Sequence, residues 1–204
     1  MLIVIEGQDA TGKSQQADML AEYLRKKGEK VAAYAESGTN SSIEFAREIA
    51  RLNYGSVNNI EERTRVLLYL VNRYEQWKKL AEPVLKEGGT AIITRYWFST
   101  LIYEGYGLGV SKNLITKLHH DIMPEPYFEP DHLVILTLGD EERAKRLSSQ
   151  GERKAEFFKS KAYDFQKKLN QSYLKVAKDF NVDTLDTTGT PEEVHQRLLA
   201  KWGL

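Results

Sequence analysis

The chain has 204 residues, its 29 Lys and Arg balance its 29 Asp and Glu, and 41% of its residues are hydrophobic. A chain of this length fits one domain. Because its net charge is zero, it is not expected to bind DNA or RNA through overall charge. Cysteine is absent, which excludes disulfides, thiolate metal sites and a cysteine nucleophile, and permits a cytoplasmic location.

The start of the chain, MLIVIEG, has an apolar run that ends at Ile5. It lacks a basic leader and a small-residue cleavage site, so we interpret it as a first strand rather than a signal peptide. Every other apolar run is also too short to cross a bilayer. We therefore expect a soluble, cytoplasmic protein with no nucleic acid and no membrane among its partners.

Short apolar runs alternate with helical patterns along the whole chain. The predicted strands are Leu2–Ile5, Val31–Ala35, Thr90–Thr94, His132–Leu138 and Val182–Leu185. Successive residues in these runs are apolar, which indicates strands buried on both faces, as in a parallel sheet. The fold class we predict is α/β: a three-layer α/β/α sandwich, with a five-stranded parallel sheet covered by helices on both faces.

Helical patterns fill the segments between these strands. Helices are predicted from Ser14 to Gly28, over about 60–79 and 155–180, and from Thr190 onward. Clusters of glycine and proline predict two loops. The loop positions are Gly105, Gly107 and Gly109 in the first, and Pro124, Pro126 and Pro130 in the second. His119 and His120 are adjacent, so they cannot share a helical face, and we interpret them as surface or interface residues.

One segment between the first strand and the first helix fits the pattern G-x-x-x-x-G-K-[ST] at every fixed position. It runs Gly7-Gln8-Asp9-Ala10-Thr11-Gly12-Lys13-Ser14. In such a P-loop, backbone N–H groups bind phosphate oxygens, the lysine bridges the β- and γ-phosphates, and the hydroxyl holds Mg²⁺. The fold is then that of a P-loop NTPase, with Ser14 as the metal ligand. The predicted ATP contacts are Gly7, Gln8, Ala10, Thr11, Gly12, Lys13, Ser14 and Thr188.

The P-loop alone does not name a reaction, because GTPases, ATPases and small-molecule kinases share it. A switch GTPase would carry a guanine-reading N-K-x-D segment, which this sequence lacks. A motor ATPase usually has a strand that ends in Asp, whereas the third predicted strand ends at Thr94-Arg95.

Two further residues are spaced to form a base pocket. Tyr69 and Arg73 lie four apart and so share a helical face, which places a stacking ring beside a guanidinium that can donate to a base carbonyl. The alternative is that Tyr69 is core and Arg73 extends past it to solvent. Arg95 follows the third strand, where ligands gather in such sheets, and could hold a phosphate or else cap the sheet edge as a surface residue.

Several motifs resemble the thymidylate kinase family of nucleoside monophosphate kinases. Residues 5–14 resemble E-G-x-D-x-x-G-K-[ST], residues 67–73 are similar to L-L-F-x-A-[DN]-R, residues 94–105 resemble D-R-Y-x-x-S-x-x-A-Y-Q-G, and residues 129–131 resemble R-P-D. The resemblance implies Mg²⁺-dependent transfer of the ATP γ-phosphate to dTMP by a homodimer, with the helix of Tyr69 and Trp77 near the interface. It implies Lys13 and Asp9 as catalytic residues. The implied substrate contacts are Asp9, Glu36, Tyr69, Arg73, Arg95, Ser99, Tyr103 and Glu104.

The resemblance also implies a lid at about 143–158 within a single kinase domain covering 1–204. The P-loop carries Ala10 where some family members have an arginine, so another arginine has to stabilise the transferring phosphoryl group. Arg153 is our first choice and Arg146 the second, and the alternative for each is a solvated basic helix end.

Three positions depart from the family pattern. Ala35 replaces an arginine that helps to hold the acceptor phosphate, Thr94 replaces the aspartate of D-R-Y, and Glu104 replaces a glutamine. Two alternatives therefore stay open: a kinase of another nucleoside monophosphate such as dUMP, and a nucleotide-binding module without catalysis.

Overall fold

The computed structural model describes residues 1–54, 60–148 and 161–204. Its five strands form one sheet, and every neighbouring pair is parallel. The strands are β1 (Leu2–Gly7), β2 (Val31–Ala35), β3 (Thr90–Thr94), β4 (His132–Thr137) and β5 (Asp183–Asp186), in the order β2-β3-β1-β4-β5. The predicted five-stranded parallel sheet is confirmed.

Helices connect the strands on both faces of this sheet. They are α1 (Lys13–Lys26), α2 (Glu44–Tyr54), α3 (Glu62–Gln76), α4 (Glu82–Lys86), α5 (Trp97–Thr100), α6 (Lys112–Ile122), α7 (Asp140–Ser148), α8 (Lys161–Asp179) and α9 (Pro191–Trp202). Two π-helical segments, Trp77–Ala81 and Leu101–Gly107, and a 3-10 turn, Glu125–Phe128, complete the regular structure. Within these described ranges, no helix combines the length and hydropathy needed to span a membrane.

The central strand β1 is buried on both faces, as the unbroken apolar run predicts. Val4 points into a core that includes Leu70 of α3 and Tyr173 of α8, while Ile3 and Ile5 point into a second core with α1 and α9. Because β1 lies between these two cores, the loop that follows it emerges at the carboxyl edge of the sheet, where parallel α/β folds bind ligands.

The loop predicted at Gly105, Gly107 and Gly109 is confirmed only at Gly109, which follows the helix with a φ of 83°. The prediction is wrong for Gly105 and Gly107. Both residues lie in the π-helical segment Leu101–Gly107, and the chain leaves the helix only at Leu108. A Cβ at Gly107 would lie 3.0 Å from the Phe165 ring of α8, so glycine serves close helix packing at this position rather than a turn.

Trp77, on the helix that the resemblance places near a dimer interface, packs edge-on against Tyr127 inside the core. His119 is also fully buried, which corrects its interpretation as a surface residue. In both cases the segment turns an amphipathic side chain inward, where aromatic rings and polar partners satisfy it.

Candidate active site

The P-loop leaves β1 through a backbone that glycine permits. Gly7 has a φ of 143°, and a Cβ there would lie 2.6 Å from the Leu136 carbonyl oxygen of β4, so a side chain would separate the two strands. Ala10 and Gly12 also have positive φ angles, of 68° and 89°. No described side chain caps the N-terminus of α1, which leaves the N–H groups of its first turn available to an anion.

Lys13 lies folded into the P-loop. Its Nζ donates a hydrogen bond of 2.7 Å to the Gln8 carbonyl oxygen and lies 3.9 Å from an Asp9 carboxylate oxygen. Burial and the nearby Arg95 charge lower the pKa of Lys13 to about 8, against the opposing effect of Asp9. A bound phosphate chain would bring negative charge to this ammonium group.

Asp9 and Arg95 form an ion pair across the site. Burial alone would raise the pKa of Asp9, but the charges of Arg95 and Lys13 hold it below its usual value. The Tyr103 hydroxyl donates to the other Asp9 oxygen at 3.5 Å. Arg95 itself has a φ of 61°, an unfavourable angle for a residue with a side chain, and strain of this kind is concentrated at functional sites.

A cavity of about 410 Å³ opens beside the P-loop and collects most of the predicted substrate contacts. It is lined by Asp9, Ser14, Ala35, Glu36, Ser37, Thr39, Asn40, Tyr54, Tyr69, Arg73, Arg95, Ser99, Thr100 and Tyr103. Seven of the eight side chains predicted to contact the acceptor therefore face one space. A cavity of this volume is in the range that encloses a small ligand.

Arg73 does not extend to solvent. It is 2% exposed, and its Nε pairs with the buried Glu36 carboxylate. The pKa of Arg73 is raised, because the Glu36 charge outweighs the cost of burial. Tyr127 donates to the same carboxylate oxygen at 2.9 Å, so Glu36 serves to hold Arg73.

Two aromatic rings form the outer wall of the cavity. Tyr69 of α3 lies 5.9 Å from Tyr54 of α2, ring centre to ring centre. Ser99 lies deeper and donates to the fully buried Glu6 carboxylate at 2.5 Å. Because its proton is engaged there, the Ser99 oxygen is left as an acceptor toward a ligand.

Glu104 is the eighth predicted contact, and it lies outside this lining. Its carboxylate is 3.7 Å from Nε of Arg65, behind the wall that carries Tyr69. Burial raises the pKa of Glu104 to about 7, against the effect of Arg65. Its predicted contact with the substrate stays a prediction that this geometry does not favour.

A smaller cavity of about 210 Å³ lies on the other side of the P-loop. Its walls include Thr11 and Gly12 of the loop, Arg146 of α7, and Thr187 and Gly189 after β5. Arg146 donates to the Thr187 carbonyl oxygen at 2.6 Å. Arg146 therefore borders a space that reaches the P-loop at Thr11 and Gly12.

Thr188, a predicted ATP contact, lies between two residues of that smaller cavity, and its N–H donates to Asp186 at 2.9 Å. Arg153 lies outside the described residues, as does most of the predicted lid, so its role stays a prediction.

A chain of partly buried polar side chains links the P-loop to the helices on either side of residues 149–160. The Gln8 amide donates to the Gln166 side chain of α8 at 2.7 Å, and Arg143 of α7 donates to the same Gln166 oxygen at 3.2 Å. Arg143 is completely buried, so the first residue of the predicted lid lies inside the protein.

The donor set around Ser14 suits Mg²⁺ bound together with phosphate. Ser14 and Asp9 both line the larger cavity, and hydroxyl and carboxylate oxygens are the ligands that Mg²⁺ prefers. Among the residues the structure describes, no three His, Asp or Glu side chains form a metal cage. Such a site fits an ion that arrives with its nucleotide.

Sequence reasoning missed Thr100, Tyr54 and Asn40, all of which line the larger cavity. Thr100 could have been predicted from the sequence, because it follows Ser99 on the same helical turn. Tyr54 and Asn40 carry no local signal. Tyr54 is brought to the site by the packing of α2 against α3, and Asn40 lies in the segment between β2 and α2.

The parallel sheet, the P-loop and the cavity facing it define a P-loop protein with a small-molecule cavity beside its phosphate-binding loop. Residues 5–198 match the family model described as "Thymidylate kinase". The chain is 31% identical to a thymidylate kinase of Caldicellulosiruptor saccharolyticus, covering 96% of this chain and 92% of that one. It is 32% identical to a probable thymidylate kinase of Thermococcus onnurineus, with 98% and 96% covered. The chain belongs to the thymidylate kinase family.

A solved structure shows the same fold. The thymidylate kinase of Ehrlichia chaffeensis superposes with a TM-score of 0.76 at 22% identity, covering 100% of this chain and 98% of that one. The predicted P-loop NTPase fold and the predicted kinase class are confirmed.

Proposed function

We propose that this protein transfers the γ-phosphate of ATP to dTMP, giving dTDP and ADP. The observation that carries the proposal is the larger cavity, where Tyr69 and Arg73 face Arg95 across a space that opens onto the P-loop. The ring would stack on the thymine base, Arg73 would donate to a base carbonyl, and Arg95 would hold the monophosphate.

Catalysis then rests on position and charge. An oxygen of the acceptor monophosphate forms a bond to the γ-phosphorus while the bond from that phosphorus to the β–γ bridging oxygen breaks, and ADP leaves. Lys13 and the loop N–H groups would hold the phosphate chain of ATP, and Asp9 would keep Arg95 in place. Mg²⁺, held by Ser14 and the phosphates, would neutralise part of the charge on the phosphate chain.

The donor base has its own site in this proposal. The smaller cavity reaches the P-loop at Thr11 and Gly12, so a nucleotide whose phosphates lie on the loop would place its base between Arg146 and Thr187. Arg146 would then contact the donor base. The positive charge that stabilises the transferring phosphoryl group would come from Lys13 and from a lid arginine. Arg153 is our choice for that arginine, within the lid at about 143–158.

A panel of monophosphates tests the substrate. ADP release is measured with ATP, Mg²⁺ and each of dTMP, dUMP, dCMP and dGMP. We expect the highest kcat/KM with dTMP. Its preference over dUMP should be roughly tenfold to a hundredfold, because one methyl group contributes only about 1–3 kcal/mol. ATP binding without turnover on any acceptor would favour the module without catalysis.

We also infer a homodimer. Leu67, Val71 and Tyr74 project from one face of α3 and are 49%, 47% and 39% exposed. Phe45 and Leu52 of the adjacent α2 extend this apolar surface. Light scattering should give twice the chain mass for the wild type and the chain mass for Val71→Asp, and a monomeric wild type would contradict the inference.

We place the protein in the cytoplasm.

A further inference from the structure

His119 of α6 is fully buried against the end of Arg73. Its two ring nitrogens have different partners: Nδ1 lies 2.7 Å from the Ile115 carbonyl oxygen, and Nε2 lies 2.8 Å from Nη1 of Arg73. A carbonyl oxygen only accepts and a guanidinium only donates. Nδ1 therefore carries the proton, and Nε2 offers its lone pair to Arg73.

This assignment requires a neutral imidazole, and the surroundings provide one. Burial and the Arg73 charge lower the pKa of His119 to about 3. The ionisable groups that face it are Arg73, with Glu36 beyond it, and the adjacent ring of His120. Trp97 packs 5.7 Å away, ring centre to ring centre, and keeps solvent from the other side.

The guanidinium of Arg73 is held at each of its three nitrogens. Nε pairs with Glu36, Nη1 donates to His119, and Nη2 lies 3.4 Å from the Arg95 carbonyl oxygen. The Thr100 hydroxyl also lies 3.4 Å from Nη1. Glu36 holds one end of the planar group, and His119 fixes the other. Together they orient the remaining N–H of Nη2 toward the cavity.

We propose that neutral His119 is a positioning residue that fixes Arg73 in the orientation that reads the acceptor base. The proposal deepens the proposed function and rests on it, since it needs Arg73 to contact that base. His119 itself does not line the cavity and acts through Arg73.

Two substitutions separate positioning from packing. The side-chain oxygen of His119→Gln reaches about as far as Nε2 and can accept from Arg73, whereas the shorter amide of His119→Asn reaches only the place of Nδ1. His120→Asn is the matched control, because its ring is exposed and stacks on Phe128, 4.1 Å away.

Steady-state kinetics with dTMP and ATP provide the test. Losing one hydrogen bond to a charged group should raise the acceptor KM of His119→Asn about tenfold, with the ATP KM within about twofold of wild type. His119→Gln should stay within about threefold of wild type, and His120→Asn should not differ from it. Equal acceptor KM values for the Asn and Gln variants, or an ATP KM that rises in step, would overturn the proposal.

The wild-type protein supplies the remaining checks. A wild type that does not turn over dTMP refutes the proposed function, whereas indistinguishable variants of an active wild type refute only the role of His119. Should the variants fail to fold, nitrogen-15 NMR of the wild type decides: an Nδ1–H tautomer that persists down to about pH 5 is expected. An Nε2–H tautomer or an imidazolium would overturn the proposal.

Discussion

The Arg95 guanidinium donates to the Asp9 carboxylate, so the turn after β3 is tied to the P-loop across 86 residues of chain. The contact places a cation at the border between the proposed donor and acceptor sites. It also places a carboxylate beside Lys13, which partly offsets the positive charge that the two cations bring together.

Arg95→Ala tests the acceptor end of this arrangement. Removing a charged hydrogen-bond donor to a phosphate should raise the dTMP KM by roughly tenfold to a hundredfold, with little change in the ATP KM. Arg51→Ala is the control, since its guanidinium pairs with Glu48 on the exposed face of α2. An unchanged dTMP KM would show that the monophosphate is held elsewhere.

Tyr69 tests the base pocket. Tyr69→Phe keeps a ring for stacking and should leave kcat/KM for dTMP within about threefold, whereas Tyr69→Ala should lower it by at least about tenfold. Steady-state assays with both variants are sufficient. Equal losses for Phe and Ala would mean that the hydroxyl group, and not the ring, makes the important contact.

Lys13→Ala tests the P-loop. The Lys13 ammonium group lies against the P-loop, 2.7 Å from the Gln8 carbonyl oxygen, where it can neutralise phosphate charge. Its loss should weaken ATP binding about tenfold and turnover by more than about a hundredfold. Calorimetry with ATP and a turnover assay measure the two effects. Lys26→Ala, an exposed position on the same helix, should leave both unchanged.

Glu104→Gln tests the effect of pH on stability. Burial raises the pKa of Glu104 to about 7, so the folded state holds a proton that the unfolded chain loses near its ordinary value of 4.5. Ionisation of Glu104 therefore makes the folded state less stable as pH rises from 4.5 to about 7. Thermal unfolding should show Glu104→Gln to be more stable than wild type by roughly 1–2 kcal/mol at about pH 8, with a smaller gain at about pH 5. The same gain at both pH values would contradict this account.

The parts of the site that lie close in sequence could be predicted, and those that depend on packing could not. The P-loop is one continuous segment, and Tyr69 and Arg73 are related by helical spacing, so both follow from local geometry. The pairing of Glu36 with Arg73 joins two elements 37 residues apart, and no pattern in the sequence marks it. His119 was misread because a pair of adjacent histidines gives no indication of which one faces inward.

The fold followed from the sequence more completely than the site did. Continuous apolar runs predicted β1 and β3, because a parallel strand buried on both faces requires apolar residues throughout. The edge strand β5 reads Asp-Thr-Leu-Asp and is mostly exposed, so its prediction rested on a weaker pattern. Gly105 and Gly107 led to a wrong loop prediction, since glycine serves close helix packing as well as turns.

The structure of crystals grown with dTMP and ADP tests the central claim most directly. We predict a thymine ring stacked on Tyr69, a base carbonyl within hydrogen-bond distance of Arg73, and a monophosphate bound to Arg95 and facing the P-loop. A monophosphate bound away from Arg95, or a base that contacts neither Tyr69 nor Arg73, would contradict the account.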